Sequence, residues 1–264
     1  MSDNHTSNRR PLAYKNEAFI DSPDARPLRM LSEYLEPLNH FRHEKIKDTI
    51  VFFGSARIDE SGPMARYYSE ARELAGLLTQ WSDSIQNHSQ RFVICTGGGP
   101  GIMEAANRGA SDVGGKTIGL NIRLPNEQEP NPYITPELSF EFHYFFLRKF
   151  WFAYLAKALV VFPGGFGTMD ELFEILTLIQ TQKLQKRMVI LLYGTAFWKE
   201  VVNFPALVKH GTISPEDLNL FEFADDTQTA FTILKQGLTK YHLKPKEQLS
   251  APESEVPAIA KTTT

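Results

Sequence analysis

Three glycine-bearing stretches of this 264-residue chain have the composition of anion-binding loops: Gly54-Ser55-Ala56-Arg57, Gly97-Gly98-Gly99-Pro100-Gly101 and Pro163-Gly164-Gly165-Phe166-Gly167-Thr168. A glycine loop entering a helix presents unpaired backbone N–H groups and the positive end of the helix dipole, which together favour a phosphate or a carboxylate. Each stretch follows a short apolar run, and ligands of open parallel sheets bind where such loops leave the strands. They supply the candidate ligand-binding residues Gly54, Ser55, Gly98, Gly99, Gly101 and Gly164. Thr168 is followed three residues later by Glu171, and the pair reads in two ways. As a T-x-x-E capping box it would close a helix end on itself. As a carboxylate one turn into a helix, opposite a second glycine loop, Glu171 would face the ligand and do acid–base work. Arg148 and Lys149 lie in the aromatic-rich segment 145–154 just before a buried run. Basic residues among Phe and Trp commonly mark the solvent edge of a packed helix. Beside an anion loop, an arginine would instead grip phosphate or ribose with its planar fork.

Other patterns carry less. Gly97 and Gly99 are followed by Ile102 where a dinucleotide fingerprint needs its third glycine. Residues 110–117 imitate a triphosphate-binding loop, but Ala110 replaces its first glycine and the segment precedes a strand instead of following one. His40 and His43 are three apart with no evident third metal ligand, so no metal site is expected. Cys95, the single cysteine, allows no internal disulfide, fits a reducing compartment and reads as a small core residue.

The elements that must hold these residues follow from periodicity. Continuous apolar runs at 49–53, 92–96, 117–121, 158–162 and 188–193 have the form of strands buried on both faces, and 138–142 and 220–223 are weaker candidates. Helical periodicity fills 63–81, 101–113, 143–157, 168–183 and 196–209, with Gly114 and Gly211 as C-terminal caps and Asp226 capping a last helix to about residue 241. Strand–helix alternation implies an α/β fold, a three-layer Rossmann-like doubly wound parallel sheet with helices on both faces. One such domain is expected over 48–243. Before it, 1–26 reads as a disordered tail and 27–47 as a helical arm, with Leu28, Leu31, Leu35 and Leu38 at helical spacing and Pro37 expected to kink or split it; 244–264 reads as a second disordered tail. A hydrophobic content of 42% suits a large buried core. Twenty-eight basic against 31 acidic residues give a net charge of −3, without the positive field that non-specific DNA or RNA binding requires. No apolar run approaches a membrane span and the polar start is no secretory signal, so a cytoplasmic protein without a membrane partner is expected.

Taken together, the motifs resemble those of the lonely-guy family, phosphoribohydrolases often labelled lysine decarboxylases. Residues 163–171 match P-G-G-x-G-T-x-x-E, residues 97–103 correspond after alignment to the G-G-G-x-x-G-x-M region, and Arg148-Lys149 stands at the family's R-K pair. The resemblance spans about 48–240. It implies hydrolysis of the N-glycosidic bond of a nucleoside 5'-monophosphate, AMP or an N6-substituted AMP, to free base and ribose 5-phosphate. It places Arg148 and Glu171 at catalytic positions and Lys149, Gly165, Gly167, Thr168 and Thr177 at substrate-binding positions. It further implies no cofactor, and a homo-oligomer, dimer or larger, in which the helix around Phe150 and Trp151 packs on a partner. The long N-terminal arm is similar to that of longer bacterial members. Phe145, Phe146 and Glu104 depart from the shorter plant-type members, which leaves the base preference open between plain and N6-substituted AMP. A nucleotide or cofactor carrier that does no chemistry is the alternative, since related folds use such loops for binding alone.

Overall fold

Val, Ile, Leu and Phe dominate the apolar runs. In the computed structural model, which describes residues 10–85, 89–124 and 129–243, those runs become strands of one sheet. The chain passes through α1 (Glu17–Ile20), α2 (Arg26–His43), β1 (Thr49–Phe53), α3 (Ala65–Asp83), β2 (Val93–Thr96), α4 (Ile102–Asp112), β3 (Thr117–Ile122) and β4 (Ser139–Phe142). It continues through α5 (Phe145–Leu155), β5 (Ala156–Val161), α6 (Phe166–Gln180), β6 (Val189–Tyr193), α7 (Thr195–Val201), α8 (Phe204–Lys209), β7 (Glu222–Ala224) and α9 (Thr227–Leu238). The sheet order is β4-β3-β2-β1-β5-β6-β7 with every neighbouring pair parallel. Direction of winding reverses between β1 and β5, and Phe53 pairs with Val161, so the loops after these two strands leave the sheet side by side. That is the crevice in which a doubly wound sheet binds ligands.

Alternate residues of each strand feed two cores. Ile50, Phe52, Ile94, Val160 and Leu191 pack under α3, α4 and α9, while Val51, Phe53, Leu159, Val161 and Leu192 pack under α2, α5, α6, α7 and α8. Residues buried on both sides explain the unbroken apolar runs. The weaker alternating candidate 138–142 is edge strand β4, whose burial alternates along its length as one-sided packing requires. Gly114 and Gly211 take positive φ just past α4 and α8, as left-handed C-terminal caps do. Among the described residues no helix is long and apolar enough to cross a membrane.

Several expectations need correction. Residues 10–26, read as part of a tail, hold two short helical turns and α1 before α2 begins; 1–9 and the C-terminal tail 244–264 lie outside the described residues. The segment 196–209 is two helices, because Asn203 caps α8 through Ala206 N and Pro205 occupies its first turn. Helix α6 begins at Phe166 instead of Thr168, with Gly165 as its N-cap. Pro37 neither splits nor ends α2, which runs through it as one helix. A proline removes the hydrogen bond to the carbonyl four residues back, at a cost of about 3 kcal/mol in a helix interior. Here that carbonyl, of Glu33, accepts from Trp151 Nε1 at 3.2 Å, so the orphaned acceptor docks α2 onto α5. The docking face is Tyr34, Pro37 and Phe41, with Tyr34 stacked on Trp151 at 5.5 Å. Leu28, Leu31 and Leu35 consequently lie on the outer face, about half exposed.

Candidate functional site

Backbone hydrogen bonds clip the three glycine loops together at the carboxyl edge. Ser55 N donates to Pro163 O at 2.9 Å, and Ser55 O accepts from Ile102 N at 3.1 Å, tying the β1 loop to the β5 loop and to the start of α4. Gly101 must be glycine: it has φ 73° and its Cα faces the Ser55 carbonyl, leaving no room for a side chain. Gly54 lies against Ile102, Gly98 against the Asn121 amide, and Gly164 under Thr168. The backbone of 98–99 is held from below: Asn131 Nδ2 donates to Gly98 O and Gly99 O, both at 3.1 Å, and also to Asn107 Oδ1 at 3.0 Å. These loop glycines are the close contacts of a rigid floor.

Gly165 and Gly167 differ, since a Cβ on either would meet nothing within 4 Å. They bound open space at the start of α6, and no side chain caps that helix. The capping-box reading of Thr168 and Glu171 therefore does not hold: Thr168 sits inside the first turn, and both side chains are buried. The orphan N–H groups of the first turn and the dipole remain available to an anion.

Glu171 lies one turn further along α6, on the face toward α5. Arg148 Nη2 approaches its Oε1 to 3.8 Å, with side-chain exposures of only 14% and 5%. That is an ion pair without a hydrogen bond, and Glu171 Oε1 and Arg148 Nε are both buried with no hydrogen-bond partner. Burial pushes the Glu171 carboxyl up to about 7, against the pull of Lys149 and Arg148. The same burial lowers Arg148 below the ordinary guanidinium value, opposed by Glu171 and Asp170. The Arg148 guanidinium lies over the Phe145 ring at 5.0 Å, so both Arg148 and Lys149 point inward and not to the solvent edge of α5. Two buried polar atoms without partners, set in the crevice, make this pair a candidate ligand site.

Lys149 is more occupied than its sequence reading suggests. Its Nζ binds Asp170 Oδ2 at 2.7 Å and Glu174 Oε2 at 2.6 Å, fastening α5 to α6, and reaches Glu171 Oε1 only at 4.0 Å. Thr177 stands apart, exposed and donating to Phe173 O at 2.7 Å. Six residues beyond Glu171, it is about 9 Å further along the helix and on another face. Phe150 and Trp151, expected to meet a partner copy, turn inward under α2, Trp151 being fully buried. The exposed aromatics beside the site are Phe145, Phe146, Phe166 and Phe173. Glu104 accepts from the Tyr68 hydroxyl at 3.0 Å, while Cys95 is buried in the core, where burial pushes its thiol up. Among the described residues no group of three or more His, Cys, Asp or Glu is placed to hold a metal. Sequence reading missed Asn107 and Asn131; an amide on the apolar face of α4 was the available signal for the first, and nothing marked the second.

Three comparisons bear on this arrangement. A family model described as possible lysine decarboxylase matches residues 103–234, half of the chain. The cytokinin riboside 5'-monophosphate phosphoribohydrolase LOG of Oryza sativa subsp. japonica is 25% identical over 205 residues, covering 76% of this chain and 78% of that protein. Among solved structures, the structural-genomics target TM1055 superposes with a TM-score of 0.50 at 19% identity, over 72% of this chain and 99% of that one. A molybdenum cofactor binding protein from the phototrophic bacterium Rippkaea orientalis gives a TM-score of 0.49 at 19% identity, over 72% and 96%.

Proposed function

The chain belongs to the family described as possible lysine decarboxylases, and on that premise we propose that, like the lonely-guy phosphoribohydrolases it resembles, it hydrolyses the N-glycosidic bond of a nucleoside 5'-monophosphate. The products are the free base and ribose 5-phosphate, and the substrate is AMP or an N6-substituted AMP. One observation carries the reading: a buried arginine–carboxylate pair with orphan polar atoms, one turn into a helix whose N-terminus is open. The rice relative, whose name assigns it this reaction on a cytokinin riboside 5'-monophosphate, supports it.

The 5'-phosphate lies at the first turn of α6, against the N–H groups of 166–168 and over Gly165 and Gly167. A rise of 1.5 Å per residue puts Glu171 about 6 Å further along the helix than Gly167, the scale of a ribose ring. As the bond from C1' to the base nitrogen breaks, positive charge grows on the ring. Glu171 either stabilises that charge or takes a proton from the water whose oxygen joins C1'; the leaving base gains a proton. Both roles need the ionised carboxylate. Arg148 offsets the phosphate charge and fixes the ribose. Lys149 acts mainly by locking α5 against α6, and Thr177 has no part at this copy's own site. The exposed Phe145, Phe146 and Phe166 beside the crevice support the homo-oligomer as part of the same reading.

The test is a substrate panel followed by chromatography. AMP and N6-substituted AMP should yield base and ribose 5-phosphate, and adenosine, without its phosphate, should react at least about 100-fold more slowly. With AMP, kcat/KM should rise as pH increases through about 7, where Glu171 ionises. Equal rates with adenosine, or a falling limb there, would contradict the roles given to α6 and Glu171.

A further inference from the structure

The Arg148 guanidinium makes no hydrogen bond among the described residues, so apart from its ion pair with Glu171 at 3.8 Å its aim is inherited from the backbone of α5 and from the rings of Phe145 and Phe152 beneath it. What fixes α5 therefore fixes Arg148. At its N-terminal end, the Glu33 carboxylate of α2 accepts from His143 N at 2.8 Å and from Tyr144 N at 3.1 Å, one oxygen to each. Tyr144 is the N-cap residue of α5, its own side chain makes no cap, and Arg148 N bonds back to its carbonyl. The same Glu33 offers its main-chain oxygen, freed by Pro37, to the Trp151 indole three residues past Arg148. At the far end, Lys186 Nζ donates to Ala153 O at 2.5 Å and Tyr154 O at 2.8 Å. The carboxylate complements the dipole at the N-terminus, and the buried Lys186 amine satisfies the last carbonyls by hydrogen bonding. One residue of the arm thus brackets Arg148 from both sides in sequence.

We propose that Glu33 is a positioning residue for Arg148, so that helix α2 is a working part of the site and not an appendage to the domain. The proposal rests on the hydrolase reading for its activity readout, but its geometry does not. Loss of the Glu33 carboxylate leaves two N–H groups without their acceptor and lets the 143–148 segment shift. An error of about 1 Å in a charge-stabilising group can cost two orders of magnitude in rate.

The experiment is a double-mutant cycle on the full chain with Glu33→Ala, Arg148→Ala and the pair, read as AMP turnover and, separately, as AMP affinity by calorimetry. Glu33→Ala should lower kcat at least about 10-fold in the wild-type background and less than about 2-fold in the Arg148→Ala background, because the guanidinium it aims is already gone. Glu33→Gln keeps one acceptor oxygen and should give an intermediate loss, and it serves in place of the alanine variant should that one not fold. Equal losses in both backgrounds would make Glu33 a general structural residue and overturn the proposal, as would full activity in Glu33→Ala. If the wild type releases no base, the hydrolase reading falls, and the same cycle read on AMP affinity decides the role of Glu33: non-additive losses support it, and additive or absent losses overturn it.

Discussion

Arg91 and Arg148 are each buried beside a carboxylate, at opposite ends of the same parallel sheet, and their surroundings differ in kind. At the amino end, Arg91 Nε donates to Asp48 Oδ2 at 2.8 Å, the other Asp48 oxygen accepts from Phe92 N at 2.6 Å, and Arg91 Nη2 reaches the His242 carbonyl at 3.3 Å. That pair is saturated by its own chain. At the carboxyl end, Arg148 and Glu171 stand 3.8 Å apart, and each keeps a buried atom with no partner. Burying a charge without hydrogen bonds is costly, so the proposed function takes the unsaturated pair as a place kept for a ligand and the saturated pair as a joint. Helix starts vary in the same way, α4 and α7 as well as α6 following a glycine without a side-chain cap. Asp226 and Asn203 cap α9 and α8 with their side chains, and Glu33 closes α5.

Substitutions at the two pairs should accordingly move different quantities. Asp48→Ala should give the largest effect on folding: it leaves the Arg91 guanidinium buried and unpaired, a loss of about 3–5 kcal/mol in chemical denaturation. The protein that remains folded should keep its AMP affinity within a factor of about 3. A stability loss below about 1 kcal/mol would erase the distinction between joint and site.

The next effect is one of pH. With its carboxyl raised from 4.5 to about 7, folded Glu171 holds a proton more tightly than the unfolded chain does. Its contribution therefore favours the fold at low pH and is lost as pH rises from about 4.5 to 7. The loss is at most about 3 kcal/mol, from 1.36 kcal/mol per pKa unit. Glu171→Gln removes this group's titration, so the difference in stability between pH 5 and pH 8 should shift in favour of pH 8 relative to wild type. An unchanged pH dependence would mean that Glu171 is not buried as described. The smallest effect belongs to Thr177, whose exposed hydroxyl bonds only its own helix. Thr177→Val should change AMP turnover less than about 2-fold; a loss of about 10-fold would bring that residue into a site, for example that of a second copy.

Much of the fold was legible because strands buried on both faces leave continuous apolar runs, and because Gly114, Gly211 and Asp226 carry their capping chemistry in their own identity. That Arg148 and Glu171 both face the crevice side was one of two readings their pattern allowed, and the structure brings them to 3.8 Å; their chemical roles come from the resemblance and belong to the proposed function. The boundary of α6 was misread because T-x-x-E is a cap pattern, while Gly165 as N-cap follows from the open space around it. Glu33 and Asn131 were invisible, since each acts across more than 30 residues of sequence on backbone atoms, to which pattern reading is blind. The uninterrupted path of α2 through Pro37 depended on a partner, Trp151, supplied by another helix. The paired segment Asn203-Phe204-Pro205 did carry a readable break, which the apolar periodicity of 196–209 obscured.

The central claim is that the unsaturated pair does chemistry on a bound nucleotide. It is tested most directly by measuring adenine release from AMP, and AMP binding, on wild type and Glu171→Gln side by side. Wild type should release adenine with ribose 5-phosphate, and the variant should bind AMP with turnover lower by about 10³-fold or more. Turnover undiminished in the variant would remove Glu171 from the reaction, and AMP bound by wild type with no adenine released would contradict hydrolysis and leave a nucleotide carrier.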